Sequence, residues 1–174
     1  MQNPPKFNAA RSWGYYAGTL KEAIQALKYR SDLGLAELLA KPMIKMITDF
    51  AWNIDIIVPV PIGKHRLRTR GYNQAGMLAK WIALELSLPL TEKAILRTKE
   101  TQSQVGLKAD ERRENLRGAF VSVPELVRGK SVLLVDDVIT TCTTMRACSQ
   151  ALTAAGVKTV CGISAARAGH YDLN

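Results

Sequence analysis

Two adjacent carboxylates, Asp136 and Asp137, are followed by four threonines within five positions, Thr140, Thr141, Thr143 and Thr144, with Cys142 between the pairs. Before them runs an apolar stretch, Ser131 to Val135, that reads as a buried strand. After them a helical period runs from Thr143 to Ala155 and stops at Gly156. Backbone N–H groups at a helix start, with the helix dipole behind them, bind phosphate, and threonine hydroxyls add donors. Carboxylates at the carboxyl end of a parallel strand open into the crevice where ligands of α/β sheets bind. There they would accept sugar hydroxyls or steer a Mg²⁺ ion carried by phosphates. One Ser, Thr or Asp suffices to cap a helix, so capping alone accounts poorly for the cluster.

A second cluster is basic. Gly63 to Tyr72 holds Lys64, Arg66, Arg68 and Arg70 and no acid. It follows the apolar run Ile54 to Val60 and reads as a loop able to grip pyrophosphate through forked guanidinium donors. A solvated basic turn serving nucleic acid is the plainer alternative. Arg70 and Gly71 stand out, because glycine beside arginine permits a backbone conformation that aims the side chain. From Arg97 to Arg117 the chain is polar and charged, with helical signals only near Ala109 to Leu116, and its first half reads as a mobile loop. The same stretch also describes a helix with Asp110 or Glu111 near its start and Arg113 and Arg117 toward its end. His65 and His170 are far apart and suggest no local ligand pair.

The elements that must position these groups alternate. Helical spacing marks Ala17 to Tyr29 and Leu33 to Phe50, so two helices are expected first. The strand Ile54 to Val60 follows, then a helix over Asn73 to Leu86 with Leu78 and Trp81 or Ile82 inward. Strands are expected at Leu88 to Leu96, Ala119 to Val123 and Thr159 to Ser164. Such alternation predicts a parallel α/β sheet flanked by helices. Trp13, Tyr15, Tyr16 and Tyr29 form an aromatic group that could stack nucleobases, although packing beneath the first helices is the better expectation.

Composition narrows the classes. The chain has 174 residues, within the range of one domain, with 47% hydrophobic and 22% charged residues. No apolar run approaches the roughly 20 residues of a membrane span, and Met1 to Asn8 holds no export-type apolar region, so the expected setting is the cytoplasm. Cys142, Cys148 and Cys161 form no Cys-x-x-Cys pair, which indicates neither a disulfide framework nor zinc. The net charge of +9 favours anionic partners, polyphosphate or nucleic acid.

The segment Val132 to Met145 resembles the phosphoribosyl pyrophosphate (PRPP) signature of type I phosphoribosyltransferases. Leu27-Lys-Tyr29, Val58-Pro-Val-Pro61, Arg66 to Gln74, Gln104 to Leu107, Glu111 to Asn115 and Gly118 to Phe120 are similar to the ComF family of competence-associated phosphoribosyltransferase-like proteins. The likeness runs from about residue 17 to 168. It implies a type I phosphoribosyltransferase-like α/β fold: one domain over 1–174, with a helical part at 17–52, a PRPP-binding core at 54–168 and a flexible hood loop. Asp136 and Asp137 become candidate catalytic residues, Asp136 holding ribose hydroxyls and Asp137 serving as acid or base near the incoming group. Thr140, Thr141, Cys142, Thr143 and Thr144 would hold phosphate. Lys64, Arg66, Arg70 and Gly71 would form the pyrophosphate loop, and Gln104, Arg112 and Arg113 would belong to the hood. The implied cofactor is Mg²⁺ bound through PRPP. The implied setting is DNA uptake, with single-stranded DNA, competence proteins or a second copy of the chain as further partners.

The chain departs from the family pattern at two points. ComF-like proteins often begin with a four-cysteine zinc module, and no Cys precedes Cys142. Where the signature usually reads Thr-Thr-Gly, this chain has Thr140-Thr141-Cys142. Glycine there would allow positive φ and close approach to phosphate, which Cys allows less freely. A thiol at a helix start is also expected to have a lowered pKa.

Overall fold

A computed structural model describes residues 8–30, 32–99 and 118–169. In chain order, β1 (Ala9–Tyr15), α1 (Gly18–Tyr29) and α2 (Gly34–Asp49) come first. Next are β2 (Ile56–Pro59), α3 (Lys64–Arg70), α4 (Gln74–Leu86), β3 (Ile95–Arg97), β4 (Phe120–Ser122) and the short α5 (Pro124–Val127). β5 (Ser131–Ile139), α6 (Thr143–Ala154) and β6 (Thr159–Arg167) complete the series. The main sheet has the order β1-β6-β5-β2 and every pairing in it is parallel. The antiparallel pair β3–β4 forms a second, small sheet.

β2 and the first half of β5 are apolar at almost every position because both faces of the sheet are covered. On one face α1, α2 and α4 bring Ile24, Leu27, Met43, Leu78 and Ile82 against Ile57, Leu133, Val135 and Ile163. On the other, α6 and the β3–β4 pair bring Met145, Cys148, Leu152 and Phe120 against Ile56, Val58, Val132 and Leu134. Each such leucine, isoleucine or phenylalanine taken fully out of water contributes about 1.5–3 kcal/mol.

The two expected helices are present, but β1 precedes them. Its sequence, Ala-Ala-Arg-Ser-Trp-Gly-Tyr, has no apolar alternation; ladder bonds to β6, from Ala9 beside Cys161 to Tyr15 beside Arg167, make it a strand. The aromatic group consequently does not pack beneath the helices. Trp13, Tyr15 and Tyr29 are exposed, and only Tyr16 packs against the core. The basic stretch after β2 is a helix rather than a loop, because no breaker lies between Gly63 and Gly71 and its Lys, Arg and Leu residues are good helix formers. Leu88 to Leu96 is not a strand throughout; Leu90 makes one bridge to Ile57, and regular pairing begins at Ile95. On α4 Ile82 takes the core position and Trp81 is only partly buried.

Candidate functional site

The strand β5 runs four residues past Val135, so Asp136 and Asp137 lie within it and opposite-facing positions of the pleat separate them. Asp136 lines a shallow concavity of about 20 Å³ with Val138, Ile139, Thr140, Cys142, Thr143, Thr144 and Met145. Asp137 turns toward α1, where its Oδ2 lies 2.8 Å from Lys28 Nζ. Within this part of β5 each acid also accepts the N–H of the residue that follows it. Asp136 Oδ1 accepts the backbone N–H of Asp137 at 2.9 Å, and Asp137 Oδ1 accepts that of Val138 at 2.8 Å.

Cys142 is the N-cap of α6 with φ 56°, in the left-handed region, and no side chain caps the helix there. The threonines are therefore not spent on capping; Thr141 and Thr143 share a hydroxyl–hydroxyl bond of 2.7 Å across Cys142. α6 is held close to the sheet by Met145, which packs over Gly162 of β6. A Cβ at Gly162 would come within 3.0 Å of the Met145 sulfur, so the glycine lets the loop sit this near the strand ends.

Burial, with the charge of Asp137 beside it, pushes the Asp136 carboxyl well above the usual carboxylate range; the Asp137 N–H and the Lys28 ammonium oppose this and are outweighed. Burial lowers the Lys28 pKa, yet attraction to Asp137 and Asp136 outweighs it and leaves the ammonium above its ordinary value. At Cys142 burial raises the thiol and the Arg146 charge only partly offsets it, so the lowered pKa expected at a helix start is not found.

On the basic side, Gly71 has φ 79° and ends α3, the conformation expected to aim Arg70. The Arg70 guanidinium donates to Gln74 Oε1 at 2.8 Å and lies 5.1 Å over the Tyr29 ring. Tyr72 donates to the Leu27 carbonyl, and Asn73 Nδ2 donates to the Val60 carbonyl at 3.0 Å. The Arg-Gly-Tyr-Asn-Gln run is thus a set of ties joining α3, α1 and β2. Two buried donors, Gln74 Nε2 in this group and Arg146 Nε on α6, have no hydrogen-bond partner among the described residues. Lys64 and Arg66 lie on α3. Gln104, Arg112 and Arg113 of the expected hood lie outside the described residues, as does His170. A larger open groove of about 410 Å³, lined by Glu22, Gln25, Ala26, Tyr29 and Arg30, runs along α1 and gathers no comparable set of acids and hydroxyls.

The residue that sequence reasoning missed is Lys28. It stood in the Leu27-Lys-Tyr29 block only as part of a resemblance, and its partner is more than a hundred positions away.

Residues 34–172 match the family model of the phosphoribosyl transferase domain. The chain belongs to that family. Among its relatives, Competence protein F of Haemophilus influenzae is 32% identical over 168 residues, covering 92% of this chain and 73% of the relative. DNA utilization protein YhgH of Escherichia coli O157:H7 is 31% identical over 166 residues, covering 92% and 72%. These relatives place the chain in the competence-associated ComF group of phosphoribosyltransferase-like proteins. Among solved structures, a glutamine PRPP amidotransferase from B. subtilis aligns with a TM-score of 0.48 at 22% identity, over 75% of this chain and 25% of that one. No helix among the described residues is long and apolar enough to cross a membrane.

Proposed function

We propose that this phosphoribosyltransferase-family protein binds PRPP with Mg²⁺ for phosphoribosyl transfer and serves DNA uptake. The observation that carries the reading is the concavity at the end of β5, where Asp136 meets three threonines, Thr140, Thr143 and Thr144, that no helix cap consumes. The 5-phosphate would take the N–H groups and hydroxyls of Thr140 to Thr144, and Asp136 would accept the ribose hydroxyls. The diphosphate would extend toward α3 and Arg70, and the orphaned donors on Gln74 and Arg146 are suited to ligand oxygens. In transfer, the bond from the anomeric carbon to pyrophosphate breaks while the incoming group bonds to that carbon. Mg²⁺ would reach the site on the diphosphate oxygens, the hard ligands it favours, with the Asp136 carboxylate lining the same concavity. The names of the two relatives, a competence protein and a DNA utilization protein, support the setting.

Thermal denaturation tests the reading. PRPP and Mg²⁺ at about 100 times Kd should stabilise by about 2.7 kcal/mol, a rise of roughly 5–10 °C for a chain of this size. Asp136→Asn should remove most of the rise; an undiminished rise in that variant places the ligand elsewhere.

A second reading has its own observation. Arg11, Trp13 and Tyr15 fall on one face of the edge strand β1, with Trp13 and Tyr15 exposed and Arg167 lying 4.5 Å over the Tyr15 ring. Arginine beside exposed aromatics suits stacked bases of single-stranded DNA. Salt-dependent oligonucleotide binding lost in Trp13→Ala would support it, and no binding at low salt would remove it.

A further inference from the structure

We infer that Tyr15 and Arg167, at the carboxyl ends of β1 and β6, form an acceptor subsite beside the phosphosugar, and that it takes a planar heterocycle bearing carbonyl or carboxylate oxygens. The inference rests on the phosphosugar reading above and adds the side from which the incoming group arrives. Displacement at the anomeric carbon requires the incoming atom to approach opposite the departing pyrophosphate. The main sheet runs β1-β6-β5-β2, with α3 and Arg70 following β2 and the threonine turn following β5. With the diphosphate on the β2 side of β5, the acceptor must come from the β6 and β1 side, at the same carboxyl ends where ligands of parallel sheets bind.

A slip in the pleat turns the side chains there toward the site. Along β6, Gly162 meets Met145 of α6, and Ser164 stands beside Asp136 in the ladder. Ala165 and Ala166 then both enter the cluster under α1, α2 and α4, so the alternation fails once and Arg167 follows on the α6 face. β5 slips at the same row. Asp137 reaches Lys28 of α1, Val138 packs against the same cluster, and Ile139, the ladder partner of Arg167, joins the α6-side cluster. Ile139 and Thr140 line the concavity, which puts Arg167 one strand away from it. Opposite Arg167 on β1 is Tyr15, 53% exposed. The guanidinium lies 4.5 Å over the Tyr15 ring and donates to its hydroxyl at 2.6 Å. A phenol ring and a guanidinium plane stack a flat ring, and the guanidinium fork suits ring oxygens, as it suits the O6 and N7 edge of an oxopurine. An amino group at that edge would set donor against donor. In transfer, a ring nitrogen of the acceptor bonds to the anomeric carbon, the bond from that carbon to pyrophosphate breaks, and the proton of the nitrogen passes to water.

Equilibrium dialysis tests this with hypoxanthine, uracil, orotate and adenine against protein saturated with ribose 5-phosphate, which lacks the leaving group. The wild type should retain at least one of the three oxygen-bearing rings, and adenine at least tenfold more weakly than the best of them. Tyr15→Leu and Arg167→Gln should each weaken that retention tenfold or more, whereas Tyr15→Phe, which keeps the ring, should stay within about threefold. Calorimetric titration with PRPP and Mg²⁺ should give all three variants an affinity within about threefold of the wild type, which also shows that they fold. Retention of no ring by a wild type that does bind PRPP, retention undiminished in Tyr15→Leu and Arg167→Gln, or a preference for adenine would overturn the inference alone. So would a PRPP affinity that falls together with ring binding, since the pair would then serve the phosphosugar or the fold. Oligothymidylate held through Tyr15 and Arg167 with no free ring retained would assign the pair to single-stranded DNA and overturn it too. A wild type that binds neither PRPP nor ribose 5-phosphate refutes the phosphosugar reading itself, and this inference with it.

Discussion

Replacing Cys142 by glycine and, separately, by alanine divides backbone strain from side-chain packing at the phosphate loop. Cys142 has φ 56° and is 7% exposed, packed in the cluster between α6 and the sheet. A side chain in the left-handed region costs about 1–2 kcal/mol that glycine does not bear. Glycine in turn loses about 0.5–1 kcal/mol through the added freedom of the unfolded chain, and both variants forfeit the buried sulfur, about 1 kcal/mol. Cys142→Gly should therefore lie within about 1 kcal/mol of the wild type, slightly less stable. It should match or exceed Cys142→Ala by up to about 1 kcal/mol, some 2–4 °C in melting temperature. Calorimetric melting of the three proteins measures this. Titration with PRPP and Mg²⁺ should show tighter binding by glycine alone, because the loop can then close further on phosphate. An alanine variant clearly more stable than the glycine variant would refute the left-handed assignment, and a glycine variant with no gain in affinity would refute the claim that this position limits phosphate approach.

Three other outcomes are expected. Arg70→Ala should weaken pyrophosphate binding about tenfold or more, roughly 1.4 kcal/mol, while ribose 5-phosphate loses less; equal losses would contradict the placement of Arg70 on the diphosphate side. Because the folded state raises the Asp136 pKa, the wild type's stability relative to Asp136→Asn should be greatest below about pH 4, the ordinary carboxylate value, and fall as pH rises from there through the raised value. Lys28, Asp137 and Cys148 face Asp136 in both proteins, so the difference isolates Asp136, and a pH-independent difference between their melting curves would count against the burial argument. Burial raises the thiols of Cys142, Cys148 and Cys161, so iodoacetamide at pH 8 should alkylate all three at least tenfold more slowly than free cysteine, and rapid labelling of Cys142 would contradict its packing.

Much of the architecture was legible where a local pattern dictates the outcome. The apolar runs at Ile56–Pro59 and Val132–Val135 have few alternatives to a covered strand, and the threonines with the helical period after them mark the start of α6. The elements that escaped notice depend on partners distant in sequence. β1 is a strand because β6 is there to pair with it, and β5 and β6 extend past their apolar runs because each continues the other's ladder. α3 was hidden by its charge, since a run of arginines reads as solvated whether or not it is helical. At the site, residue types pointed to phosphate and sugar chemistry, but the opposite facing of Asp136 and Asp137 follows from the pleat, and the ion pair of Asp137 from Lys28. Neither is visible until the strand is known to continue to Ile139.

The most direct test of the central claim is calorimetric titration of the wild type and of Asp136→Asn with PRPP and Mg²⁺. Saturable binding by the wild type, about one ligand per chain and weakened at least tenfold by the substitution, is the predicted result. Absence of binding by the wild type, or equal binding by the two proteins, would contradict the claim that Asp136 and the Thr140 to Thr144 turn form a phosphoribosyl site.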